Sequence, residues 1–225
     1  STGEVASSLF KKLTIRKPLT VLLPGGNSPK VFFKKLINYD INWNRISLMA
    51  SDERVVSLSS NNSNTGMIQR ELLDHITNRV KPKLIKLYPI KKNEIKNRLK
   101  LLEKYFSINN PKIAFLGIGK DGHTAGIFKD NKTTNSCYLL KSRMDPFYRI
   151  TVSMSVLMNI PYLIFFVLGS EKKECLENIL FNKDKGEFIP ARFLLKNALG
   201  EKIILCDKKV APYELNIGES IISFN

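Results

Sequence analysis

Histidine, tryptophan and cysteine are scarce in this chain, with two, one and three residues among 225. Cys137, Cys175 and Cys206 are odd in number and far apart. They supply neither a disulfide framework nor a CxxC metal pair, and a zinc site would need long-range convergence on the histidines. This usage fits a reducing, cytosolic compartment. Long apolar runs are missing too: the longest is Tyr162 to Leu168, far short of the ~20 residues of a membrane span. The first residues, Ser-Thr-Gly-Glu-Val-Ala-Ser-Ser, lack the basic start and apolar core of a secretory signal. The absence of an initiator Met suggests a trimmed or tagged chain. There is no internal repeat, low-complexity tract or linker. Composition is 43% hydrophobic and 25% charged, ordinary for a globular protein. A chain of this length buries about 70–75% of its unfolded surface and needs no staple.

Acidic residues are outnumbered, 20 against 36 basic ones, for a net charge of +16. That balance attracts anions, nucleic acid among them. Yet 27 of the basic residues are Lys and only 9 are Arg, whereas specific recognition of bases and phosphates leans on the Arg fork. The densest stretch, Lys81 to Lys104, interleaves its charges with Ile95, Leu99 and Leu102 at helical spacing. It reads as one solvated helix face, and it lacks the interleaved aromatics of a single-strand binder. An anionic small molecule suits the charge equally well.

Short apolar β-rich runs alternate with amphipathic segments. Strands are expected at 19–23, 46–50, 84–87 (weak), 112–117, 148–154, 162–168 and 202–206, and helices near 5–13, 28–36, 63–76, 92–106, 171–180 and from Pro190. Several strands are too continuously apolar to face water. The pattern predicts an α/β fold, a single domain over 1–225: a Rossmann-like three-layer sandwich with a mostly parallel sheet. Ligands of such sheets bind outside the carboxyl ends of the strands, where the polar loops of this sequence fall.

Four of these loops can carry chemistry. Pro24-Gly25-Gly26-Asn27-Ser28-Pro29 lets backbone approach an anion at a helix N-terminus; a plain tight turn explains it as well, and it has neither a P-loop Lys nor GxGxxG spacing. Ser51-Asp52-Glu53-Arg54 reads as a loop in which Asp52 and Arg54 turn the same way; alone, a surface salt bridge explains it. Gly117-Ile-Gly-Lys-Asp-Gly-His123 places a histidine, the side chain suited to proton transfer near neutral pH, at a strand exit framed by glycines and Asp121. His75, mid-helix behind Asp74, reads as structural or exposed. Gly169-Ser-Glu-Lys172 turns into a helix from which Lys172 can reach a phosphate. Arg149, inside a β-run, needs an anionic partner or water.

Taken together these segments resemble the 6-phosphogluconolactonase branch of the glucosamine-6-phosphate isomerase/lactonase superfamily, from about Leu19 to Ala211. The most specific piece is Gly119-Lys-Asp-Gly-His-Thr-Ala-Gly-Ile-Phe128, similar to Gly-x-Asp-Gly-His-Thr-Ala-Ser-Leu-Phe. Asp52-Glu-Arg54 with Ser63-Asn64, then Arg149-Ile-Thr151, Gly169-Ser-Glu-Lys172, Pro190-Ala191 and Cys206-Asp207 follow in family order. The deaminase branch has Asp-Glu-Tyr at the second motif and a catalytic Glu five residues after its His, where this chain has Phe128. Departures are Pro24 and Asn27 in the first loop, Lys112 near a usual Asp, Gly126 for Ser and Lys129 for Pro.

The resemblance implies hydrolysis of 6-phosphoglucono-δ-lactone to 6-phosphogluconate with no cofactor and no metal. It assigns His123 as the base acting on water. Asp52 orients His123 or holds sugar hydroxyls, and Arg54 with backbone N–H groups faces the oxyanion. Phosphate is expected on Gly25, Gly26, Asn27 and Ser28, with charge from Arg149 and Lys172. Asn64 and Gly122 are expected to contact substrate. The implied partners are a sugar-phosphate lactone and, functionally, glucose-6-phosphate dehydrogenase, with no nucleic acid and no membrane. The rivals are a deaminase/isomerase of the same fold and a non-catalytic sugar-phosphate binder.

Overall fold

Where the sequence is apolar without interruption, the chain lies between layers. A computed structural model of the chain describes residues 1–15, 18–77, 80–88, 92–130, 133–141, 145–181, 187–212 and 221–224. The strands are β1 (Leu19–Leu23), β2 (Ile46–Ala50), β3 (Asp52–Arg54), β4 (Lys83–Ile85), β5 (Ile113–Gly117), β6 (Cys137–Lys141), β7 (Tyr148–Val152), β8 (Tyr162–Val167), β9 (Glu201–Cys206) and β10 (Ile221–Phe224). The helices are α1 (Thr2–Thr14), α2 (Ser28–Leu36), α3 (Asn64–Glu71), α4 (Ile95–Ile108), α5 (Met154–Leu157), α6 (Lys173–Phe181) and α7 (Pro190–Asn197).

Seven strands form the main sheet in the order β10-β9-β8-β5-β1-β2-β4. All neighbours run parallel except β10, which is antiparallel to β9. The expected α/β fold with a mostly parallel sheet flanked by helices therefore holds. Sheet order reverses direction around β1 and β5, so their carboxyl ends open a crevice between them.

An aromatic cluster fixes α1 and α2 on one face. Phe32 of α2 stacks on Phe115 of β5 with centroids 4.7 Å apart, and Phe115 stacks on Phe166 of β8 at 5.9 Å. Phe10 of α1 joins both Phe32 and Phe115 at 6.0 Å. All four rings are fully buried. On α4, Leu102 and Phe106 are buried while the lysines face water, as expected of a solvated basic helix face. Among the described residues no helix is long and apolar enough to cross a membrane.

The sequence did not suggest the second sheet, three antiparallel strands in the order β3-β7-β6. Residues 51–54, expected as a loop, instead continue β2 out of the main sheet. Ser51 N–H donates to Leu23 in β1 at 2.8 Å and Ser51 C=O accepts from Val152 at 3.0 Å. Asp52–Arg54 then pair with Arg149–Thr151. Asp and, less strongly, Glu are poor strand formers; pairing with β7 overrides that preference. The run expected as one strand over 148–154 belongs to this small sheet and stops at Val152, because Ser153 caps α5. The helix expected to reach Ile76 ends at Glu71 and gives way to a 3₁₀ turn over Leu73–His75.

Replacing Phe115 with Ala should remove ~3–5 kcal/mol of stability, the usual cost of deleting a core aromatic ring. Urea denaturation checks this; a loss under about 1 kcal/mol would contradict the packing described.

Candidate active site

Four strand exits and one helix N-terminus converge on a cleft of about 270 Å³. At the end of β1, Pro24 and Gly25 break the strand, and Gly26 takes φ +81° to turn the chain into α2. Gly25 is required by space: a Cβ there would lie 2.2 Å from the side-chain oxygen of Asn64. No side chain caps the first turn of α2, and Pro29 stands within that turn. Backbone donors at this end can therefore serve an anion.

At the end of β2, alternation along β3 sends Asp52 and Arg54 to one side and Glu53 to the other. Asp52 is 4% exposed. Its Oδ2 accepts from Arg149 Nη1 at 2.7 Å, and its Oδ1 and main-chain oxygen accept from Asn64 Nδ2 at 3.1 and 2.8 Å. Arg149 pairs as well with Asp145 and lies 5.8 Å from the Phe128 ring centre. Burial works against the Arg149 guanidinium, but the two carboxylates outweigh it and hold its pKa above the ordinary value. One positive and two negative charges leave this triad with a net charge of −1. Arg54 Nη1 donates to Asn64 Oδ1 at 3.3 Å and to the main chain of Asn62 at 3.0 Å.

At the end of β5 the glycines build a tight turn: His123 C=O accepts from Gly119 N–H at 2.9 Å, and Gly119 C=O from Gly122 N–H at 3.0 Å. His123 Nδ1 lies 2.5 Å from Asp121 Oδ1, which also accepts the His123 main-chain N–H at 3.1 Å. Burial tends to raise the Asp121 carboxyl, but the hydrogen bonds it accepts from His123 outweigh it and leave its pKa lowered. An ionised Asp121 requires a proton on Nδ1, which leaves Nε2 of the neutral ring as acceptor. The ring rests against Phe128, centroids 4.6 Å apart. A Cβ at Gly119 would fall 2.1 Å from the imidazole. Ala125 is held at φ +49°, and Gly126 N–H is tied to Thr151 Oγ1 at 3.0 Å.

At the end of β8, Gly169 at φ +98° leads into a 3₁₀ turn that carries Lys172 to the cleft. Burial lowers the pKa of this lysine, opposed in part by Glu171.

Of the residues singled out from sequence, Gly25, Gly26, Asn27, Ser28, Asp52, Arg54, Asn64, His123, Arg149 and Lys172 all line the cleft, and Gly122 does not. Gly122 serves the turn instead: its φ is +78° and its C=O accepts from Ala191 at 3.0 Å. The carboxylate against His123 is Asp121, whereas Asp52 is engaged by Arg149 and Asn64. Ser51, Ile118 and Ala125 also line the cleft; they lie in the segments singled out from sequence, which gave them no individual role. Among the described residues no group of three His, Cys, Asp or Glu is placed to hold a metal.

Residues 2–204 match the family described as glucosamine-6-phosphate isomerases/6-phosphogluconolactonase. A 6-phosphogluconolactonase of Helicobacter pylori is 30% identical over 168 residues, 72% of each chain. One from Pseudomonas putida is 28% identical over 205 residues, covering 87% of this chain and 84% of its own. The crystal structure of 6-phosphogluconolactonase from Thermotoga maritima superposes with a TM-score of 0.71 at 27% identity, over 85% of this chain and 87% of that one. The cleft at the strand ends, the histidine exit loop and these matches lead to one assignment: the chain belongs to the glucosamine-6-phosphate isomerase/6-phosphogluconolactonase family.

Proposed function

We propose that this chain hydrolyses 6-phosphoglucono-δ-lactone to 6-phosphogluconate, with His123 as general base. The observation that carries the reading is the Asp121–His123 pair, whose His123 lines a cleft together with the α2 N-terminus, Arg54 and Lys172. Such a cleft offers a base for attack on an electrophile and donors and cations for an anion.

In this reading Nε2 of His123 removes a proton from water as its oxygen attacks the C1 carbonyl. Asp121 holds the ring in the Nδ1–H tautomer and steadies the imidazolium. The tetrahedral intermediate then breaks its bond from C1 to the ring oxygen, and the imidazolium returns the proton to that departing alkoxide. Arg54 and nearby N–H groups face the charge developing on the carbonyl oxygen. Lys172 and the Gly25–Ser28 backbone hold the phosphate. Arg149, neutralised by Asp52 and Asp145, fixes Asp52 for sugar hydroxyls rather than adding net charge for the phosphate. The Phe128 ring fills the flank of His123, where deamination by the related branch would need a proton-transferring carboxylate. The lactone would come from glucose-6-phosphate dehydrogenase, and three free thiols suit a cytoplasmic setting.

The protein should accelerate 6-phosphogluconate formation from fresh lactone above the spontaneous rate. His123→Ala should lose about 10²–10⁴-fold in kcat while still binding 6-phosphogluconate; wild-type turnover in that variant would remove His123 from the reaction. Lys172→Ala should raise KM more than it lowers kcat, and an unchanged KM would put the phosphate elsewhere. Because burial lowers Lys172 from the usual 10.5, the neutral amine forms as pH rises through that lowered value and phosphate affinity falls. KM should therefore climb on the alkaline side before an exposed lysine would titrate. Lys172→Arg, charged throughout, should flatten that climb; an identical alkaline profile would rule out Lys172 as its source.

A further inference from the structure

Glu53 is the one member of the β3 tripeptide that the chemistry above does not use. It is 1% exposed, does not line the cleft, and is nevertheless a carboxylate. All of its described bonds are to donors. Oε1 accepts from the main-chain N–H of Arg54 and of Asn64, both at 2.8 Å. Oε2 accepts from Thr65 N–H at 2.7 Å and from Ser63 Oγ at 3.0 Å. Ser63 in turn caps α3 by accepting from Gly66 N–H at 2.9 Å. The carboxylate thus grips the first turn of α3 on one side and β3 on the other.

The residue caught between these grips is Asn64. Its amide reaches Asp52 with the nitrogen and Arg54 with the oxygen, and it occupies the space left by the missing side chain of Gly25. Asn64 therefore joins the exits of β1 and β2, and the backbone N–H that sets its place is held by Glu53. We propose that Glu53 is a positioning residue: it fixes Asn64, and through it Asp52, for the sugar portion of the substrate without touching that substrate. The proposal rests on the sugar-phosphate reading of the cleft. Both oxygens must accept, so Gln cannot stand in, since its NH₂ would face an N–H donor in either orientation. Asp is too short by a methylene to reach the helix from the strand.

The test is Glu53→Gln, alone and combined with Asn64→Ala, with Asn64→Ala as reference. If Glu53 acts through Asn64, Glu53→Gln raises KM for the lactone about tenfold with kcat changed less than about threefold. In the Asn64→Ala background it then adds nothing further. A purely structural role predicts a lower active fraction at unchanged KM, or effects that multiply in the double variant, and either result overturns the proposal. A readout independent of turnover is the side-chain amide signal of Asn64 in a ¹⁵N correlation spectrum. It should move toward the position of a free amide in Glu53→Gln, and an unmoved signal also overturns the proposal. Should Glu53→Gln fail to fold, Ser63→Ala keeps the carboxylate and removes one donor. A smaller rise in KM, with a shift of the same Asn64 signal, is then expected, and no shift counts against the proposal. If wild-type protein neither hydrolyses the lactone nor binds 6-phosphogluconate, the function falls, while the amide signal still decides what Glu53 does.

Discussion

The ion pair between Asp52 and Arg149, 2.7 Å long and almost wholly buried, ties β3 to β7 within the small sheet, at the wall of the cleft. Taking two charges out of water costs several kcal/mol per ion unless further hydrogen bonds compensate. Here Asn64 binds the remaining face of Asp52 and Asp145 binds the other arm of Arg149, leaving the buried Nε of Arg149 without a partner among the described residues. The pair can form only because β2 leaves the main sheet at Ser51 and re-pairs with β7. Were residues 52–54 the loop their composition suggests, the carboxylate would have no fixed partner, and Asn64 would lose its anchor.

Much of the architecture is legible in the sequence because buried parallel strands are written as unbroken apolar runs. Tyr162–Val167 is plain in this way, and Leu19–Leu23 and Ile46–Ala50 nearly so, each broken by one hydroxyl residue, Thr20 and Ser47. The small sheet is not, for a physical reason. Its β3 is polar, and its β6, Cys137–Lys141, is half exposed, so their partners rather than their side chains make them strands. Most of the cleft was legible for the opposite reason: glycine, histidine and charge at a strand exit have little use except at a site or a turn. Gly122 marks where that logic stops, because a residue needed for a turn and one needed for a ligand look alike until φ is known.

The charge of +16 is also reinterpreted by the fold. The lysines of α4 face water on a helix that buries only Leu102 and Phe106. Within the cleft the balance is finer. The Arg149 triad is net negative, while Lys172, Arg54 and the start of α2 line the cleft with it. A general positive field raises the encounter rate with any anion, but only charges held at fixed places in the cleft can orient one that carries its charge at one end.

The main sheet also has to end somewhere. On one side the antiparallel β10 closes it; on the other stands β4, three residues long, with Lys81, Lys83 and Lys86 exposed around it. A long apolar edge would offer its unpaired backbone to any neighbouring chain. An edge this short, carrying charges that repel a second copy of themselves, is a poor template for such pairing. The same lysines that say little about what the cleft binds thus help keep a strongly hydrophobic sheet from growing beyond a single molecule.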